Sequence, residues 1–239
     1  WEGDAVVTEK ALTPSGRGKI PNFGLLMKTN LVEGRKFNYH KQSLGSYRHS
    51  IPNEYVFGYH MVNYLRRKTN DPDIWGRITA RSWSVPFIPF AFSNAIRKET
   101  GLYVTGLYDD MADHLTADWK EEVAALEMTP FVRVNRRKSS AYTDYLYPQV
   151  LADGSVLAMR KGIGDIEQFV LLKNGEERVF TPGLMNDTGM LSATGSQVVW
   201  NEYGFDPRWR VRNYSQVKAF DLSTNRKRRI GPKHSRYGG

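Results

Sequence analysis

The chain has 239 residues, 40% of them hydrophobic and 13% aromatic, with a formal net charge of +9 and no cysteine. That length and composition leave room for one large folded domain or two small ones and exclude a disordered chain. Disulfides, thiolate metal sites and cysteine nucleophiles are excluded as well, and no apolar run approaches the roughly 18 residues of a membrane-spanning helix.

The stretch WEGDAVVTE, Trp1 to Glu9, places small and apolar residues Ala5 to Val7 between Glu2 and Glu9, and a loop follows at Thr13-Pro14-Ser15-Gly16-Arg17-Gly18. It reads as the tail of a helix whose earlier part lies upstream, so the chain is expected to be part of a longer protein. Next, Asn53 stands before Glu54 to Thr69, where Phe57, Met61, Tyr64 and Leu65 recur at helical spacing. Asp71-Pro72 offers an N-cap with proline at the first helical position, predicting a helix through Ile74, Trp75, Ile78 and Trp83. Pro86 to Pro89 interrupts it, Ala91 to Thr100 resumes helix, and Gly101 stops it. A last helix is expected from Thr105, with Leu107, Met111, Leu115 and Trp119 forming one apolar strip. These stripes read as core, and Asp109, Asp110 and Asp113 read as acids favouring that helix's N-terminal end.

The pattern changes near Thr129-Pro130, after which short strand-like runs alternate with turn residues. The repeats YPQVLADGSVLAMRK, from Tyr147, and GMLSATGSQVVWNE, from Gly189, each lead through a Gly-Ser turn into an apolar strand. The spacing of Gly154 and Gly195 falls within the roughly 40–45-residue period of a four-stranded propeller blade. Each turn is followed by a second strand pair: Phe169 to Leu172 before Asn174-Gly175, and Val217 to Leu222 before Ser223-Thr224-Asn225. NEYGFDPRWRVRNYS, from Asn201, reads as an extra loop in the second copy. The fold class expected is therefore α+β and multidomain. A helical segment, 1–128, precedes antiparallel all-β blades, 129–239, that make up about two blades of an incomplete propeller.

Little in the chain looks catalytic. His40, His49, His60, His114 and His234 include no i, i+4 zinc pair, and HExxH is absent. His60 and His114 read as hydrogen-bonded structural residues. GRGK, Gly16 to Lys19, lacks the context of a phosphate cradle, and KGIGD, Lys161 to Asp165, reads as a turn. The basic clusters Arg136-Arg137-Lys138 and Arg226-Lys227-Arg228-Arg229 read as solvated loops, with no nucleic-acid signature beside them, although binding of an anionic polymer stays open. Arg208, Trp209, Arg210 and Arg212, with Tyr203, Phe205 and Tyr214, form an aromatic-cationic loop that either stacks on a partner or packs on its own sheet.

WEGDAVVTE resembles the segment after the zinc-binding helix in gluzincin-type metallopeptidases of the peptidase MA kind, where W-x-x-E-G-x-A-x-x-x-E supplies the third metal ligand; here Trp1 directly precedes Glu2. PNEYVFGYHMVNYLRRKTND, from Pro52, is similar to that family's GY…V.YL helix. PFAFSNAIRKETGLYVTGLYDDMADHLTADWKEEV, from Pro89, resembles its tail. The Gly154 and Gly195 turns look like weakened S-P-D-G turns of a TolB-type propeller. The resemblance implies that Glu2 is the third zinc ligand and that the parent hydrolyses peptide or protein substrates in the bacterial envelope, periplasmic or secreted. It also places the two histidines and the general-base glutamate before Trp1, so this chain alone is expected to be inactive and to hold no zinc. The alternative is a non-catalytic scaffold whose propeller docks envelope proteins or glycans.

Overall fold

The computed structural model describes residues 1–136, 141–164, 166–182, 191–209 and 211–232, with the backbone alone at 181, 182, 203, 205 and 213. Within them seven α-helices precede eight β-strands, an α+β composition, and the chain divides into two compact units, Trp1–Thr129 and Pro130–Gly239.

In the first unit the helices are α1 (Glu2–Leu12), α2 (Leu25–Val32), α3 (Tyr39–Leu44), α4 (Glu54–Thr69), α5 (Ile74–Ser84), α6 (Ala91–Thr100) and α7 (Val104–Ala124). Helix α4 is the axis. Asn53 Oδ1 accepts from the Val56 N–H at 3.1 Å, Asn70 closes the helix in the left-handed region, and Arg66, Arg67 and Lys68 complement the dipole in the last turn. Its residues Phe57, Met61, Tyr64 and Leu65 pack with Ile74 and Ile78 of α5, Ile96 of α6, and Leu107 and Met111 of α7. On another face Tyr59 and Val62 meet Val6 and Val7 of α1. Each such large apolar side chain contributes about 1.5–3 kcal/mol on burial, so α4 holds two clusters together.

Two helix starts differ from expectation. Helix α5 opens at Ile74, because Asp71 Oδ1 instead takes the N–H of Asp73 at 2.9 Å and its other oxygen pairs with Arg77. Helix α7 begins at Val104, so Asp109, Asp110 and Asp113 lie beyond its first turn. There they pair with Lys36 (3.5 and 2.8 Å) and, from Asp110, with Lys68 (2.7 Å), rather than supporting the dipole.

The second unit contains two four-stranded antiparallel meanders. The first orders β1 (Thr143–Val150), β2 (Val156–Gly162), β3 (Gln168–Lys173) and β4 (Glu176–Pro182); the second orders β5 (Ser192–Thr194), β6 (Gln197–Phe205), β7 (Asn213–Asp221) and β8 (Arg226–Ile230). Alternation sorts the first sheet by face. Leu157, Met159 and Phe169 join Val198, Trp200 and Phe220 in a core between the sheets, whereas Ala158, Val170 and Leu172 form a cluster on the other face. Phe169 meets Trp200 edge-on at 4.9 Å and Phe180 lies 5.0 Å from Phe220. Asp153-Gly154-Ser155 makes the first turn: Gly154 has φ +76°, and Asp153 Oδ1 accepts from the Ser155 backbone and hydroxyl.

Most of the supposed extra loop is sheet. Asn201 to Phe205 extends β6 and pairs with Asn213 to Val217 of β7, leaving only the turn between them. Lys161 and Gly162 likewise belong to β2, and Arg226 to Arg229 form the edge strand β8, exposed throughout, rather than a loop. Arg137, Lys138, Asp165, Gly189, Arg210 and His234 lie outside the described residues.

Candidate functional site

Helix α1 owes its position to a pair of glycines. Gly3 and Gly58 touch backbone to backbone, and a Cβ on Gly3 would sit 2.0 Å from the Gly58 carbonyl carbon. The glycine that follows Glu2 in the sequence motif therefore has a packing role, and it ties the first turn of α1 to the middle of α4.

Three carboxylates project from α1, and two are taken. Asp4 pairs with Arg66 at 2.9 Å. Glu9 receives both the Arg17 guanidinium, at 2.8 Å, and the Arg17 backbone N–H, at 3.1 Å, and these hydrogen bonds hold its pKa below the ordinary carboxylate value. Glu2 is different: its side chain is 47% exposed and, among the described residues, it pairs with the α-amino group of Trp1 at 3.7 Å rather than with an arginine. Its carboxylate is thus paired with no arginine or lysine side chain among the described residues, on a turn packed through Gly3.

Beside that turn lies an aromatic cleft of about 390 Å³, lined by Trp1, Trp75, Thr79, Ser82, Trp83 and Phe92. Trp1 and Trp83 meet edge-on at 6.0 Å, as do Trp75 and Phe92 at 5.7 Å. The sequence reads Trp75 and Trp83 of this helix as core, whereas Trp83 is 67% exposed. A smaller cavity of about 100 Å³ lies under Trp1 and Gly3, against Phe57, Gly58 and Phe92.

The four described histidines do not line this cleft. His49 sits against Ser46 and Phe37, and His40 against Tyr39. His114 lies 3.4 Å from Asp118 and tilts on Tyr64. His60 stands edge-on between Tyr59 and Trp119. The hydrogen bond expected of it is not made at Nε2, which is buried with no partner among the described residues. Burial first, and the nearby Lys10 charge second, push its pKa down to about 4, so the ring is neutral at physiological pH. Among the described residues no three His, Asp or Glu side chains gather as a metal site would need. A protein zinc site takes three or four protein ligands, so Glu2 is a possible contributor to a site but does not make one.

In the second unit, Asp206 organises the turn between β6 and β7. It accepts from the Arg208 and Trp209 backbone N–H groups, at 2.9 and 3.3 Å, and from the Tyr214 hydroxyl at 3.3 Å, which keeps its carboxyl ionised below the ordinary range. Tyr214 packs inward under the Arg212 guanidinium, while Trp209 is 63% exposed. The packing alternative holds for Tyr214, while Trp209 stays exposed.

No known protein family, curated protein or solved structure matches this chain. No helix among the described residues is long and apolar enough to cross a membrane.

Proposed function

We propose that the chain is the C-terminal helical part of a gluzincin-type zinc metallopeptidase-like protein of the bacterial envelope, continuing into the first blades of a TolB-like propeller. The observation that carries the reading is the contrast among the acids of α1. Asp4 and Glu9 are locked to arginines, whereas Glu2, the residue the motif marks as a ligand, is paired with no side-chain cation among the described residues and stands on a turn anchored through Gly3. Two consecutive antiparallel meanders with an aromatic core between them support the blade reading.

Among the described residues no zinc site is complete. In the parent, zinc would be completed by two histidines of an HExxH motif roughly 20–30 residues before Glu2, with that motif's glutamate as general base on a metal-bound water. Two measurements test this. The reading frame upstream of Trp1 should contain HExxH, and the protein expressed from the whole frame should lose its zinc on Glu2→Gln. Absence of the motif, or full zinc retention by the variant, would remove the catalytic reading.

A second reading is favoured by Trp209 alone. An exposed indole on a turn fixed by Asp206 suits a non-catalytic platform for envelope proteins or glycans. Sedimentation with isolated envelope glycan should then weaken on Trp209→Ala, and unchanged recovery would count against it.

A further inference from the structure

The connection between α5 and α6 exposes a concentrated apolar tip. Phe87 is 97% exposed, Phe90 82%, Trp83 67%, Ile88 52% and Val85 37%. Single exposed apolar residues need no explanation, but a contiguous group marks an interaction surface. The tip is also held in shape. Two successive proline turns, closed by Ile88 N–H to the Val85 carbonyl at 3.1 Å and Ala91 N–H to the Ile88 carbonyl at 3.2 Å, force the chain outward. Asn94 ties the end of the tip back, donating its N–H to the Phe90 carbonyl at 2.9 Å. Phe90 lies at φ +60°, a region that bulky residues rarely occupy and that favours glycine or asparagine. Folding alone gives no reason to hold a phenylalanine there with its ring in water, and such outliers cluster at functional segments.

The segment that carries the tip holds charge of one sign, bounded by Asp73 and Glu99. Residues 82–96 carry none, and from Ile74 to Lys98 every charged residue is a cation: Arg77, Arg81, Arg97 and Lys98. Arg77 is neutralised by Asp71 and Glu99, and Arg97 leans on Tyr103. Arg81 and Lys98 make no ion pair among the described residues. At about 1.5 Å of rise per residue, Arg81 lies roughly 5 Å behind the end of α5 and Lys98 roughly 10 Å behind the start of α6, depths that span the headgroup layer above an apolar tip entering the acyl boundary by about 5–10 Å.

We propose that this tip is an interfacial anchor that inserts into an anionic lipid bilayer surface, with Trp83 at the interface, Phe87, Ile88 and Phe90 below it, and Arg81 and Lys98 against lipid phosphates. A fluid bilayer accepts a convex apolar tip without a matching pocket. The cations fit its negative surface potential. A second copy docked through the same tip would bring Arg81 and Lys98 of both copies together, which like-charge repulsion disfavours.

The test uses flotation with vesicles of phosphatidylcholine alone or mixed with phosphatidylglycerol. The chain has no cysteine, so Phe87→Cys carries a polarity-sensitive dye at one site, with Tyr47→Cys, fully exposed elsewhere in the unit, as the control. The wild type should float with the anionic vesicles, and the dye at position 87, but not at 47, should shift to the blue. Phe87→Asp with Ile88→Asp should cut binding at least about tenfold with the helical circular dichroism and melting unchanged. Arg81→Glu and Lys98→Glu should each cut it by about fivefold or more. Equal flotation of the double Asp variant, no blue shift at position 87, or a wild-type dimer that the Asp variant converts to monomer would each overturn the proposal, the last in favour of a second copy as occupant.

Discussion

Gly3→Ala is a sharp test of how α1 is seated. Alanine is the better helix former by about 1 kcal/mol, so on helical preference alone the variant would be more stable. At the crossing, however, the added methyl would lie 2.0 Å from the Gly58 carbonyl carbon and 2.4 Å from its Cα. Carbon atoms in contact sit about 3.5–4.0 Å apart, so the helices would have to separate by about 1.5 Å. The obstacle is backbone, which has no rotamer to change. Separation would loosen Val6, Val7, Tyr59 and Val62, each no more than 9% exposed. Overpacking costs about 1–3 kcal/mol, and a backbone obstacle belongs at the upper end, leaving a net loss of about 2 kcal/mol. Urea titration followed by helical ellipticity reads this directly, since the helices all lie in the first unit. Gly58→Ala, whose methyl would lie 3.0 Å from the Gly3 Cα, should lose less. Gly76→Ala on α5, with open space around it, should gain up to about 1 kcal/mol. A Gly3→Ala protein as stable as the wild type would refute the crossing.

Three further outcomes are expected. His60, neutral in the fold with its pKa lowered to about 4 from 6.5, contributes stability that is complete above pH 6.5 and is lost as the pH falls towards 4. The loss should total about 3 kcal/mol in the pH dependence of the urea midpoint, and His60→Gln should lack it; identical profiles would exclude the effect. Glu177, whose side chain is 5% exposed, pairs with Arg160 and accepts from the Tyr145 hydroxyl at 2.6 Å. Glu177→Ala takes the carboxylate from a guanidinium that keeps Gln168 Oε1 as an acceptor, and should cost the second unit about 2 kcal/mol, with a loss below about 0.5 kcal/mol counting against that role. Trp209→Ala should leave stability within about 0.5 kcal/mol, because the indole is mostly exposed; a larger loss in thermal melts would place it in the core.

Where a helix end depends on its own residues, the sequence was readable. Asn53 and Gly101 mark the limits of α4 and α6 because their local chemistry decides them. The start of α5 was misplaced because Asp71 had two possible partners, and the Asp73 N–H with Arg77, a turn further on, outcompeted the capping role. Helices α2 and α3 gave no clear signal, being short and held by contacts with α7 and α4 rather than by their own periodicity. The β6–β7 extension was hidden because its aromatic and charged residues look like loop until Asp206 closes the turn. For the candidate site, Glu2 and Gly3 were visible as a motif. The aromatic cleft was not, since spacing reports which residues share a face and not whether anything covers it. Trp75 and Trp83 sit eight residues apart on α5, yet one is half-buried and the other open.

Strand β8 has a consequence for handling the protein. Among the described residues β8 pairs only with β7, its Arg226, Arg228 and Arg229 are exposed, Lys227 pairs with Glu202, and Arg229 stands directly opposite Lys218. A row of cations on an open edge repels another copy of the same edge. That protection is electrostatic, so it weakens as added salt shortens the Debye length from about 10 Å at 0.1 M to about 3 Å at 1 M. Concentrated salt, the usual remedy for a basic protein that sticks to surfaces, would here remove the barrier to edge-to-edge aggregation.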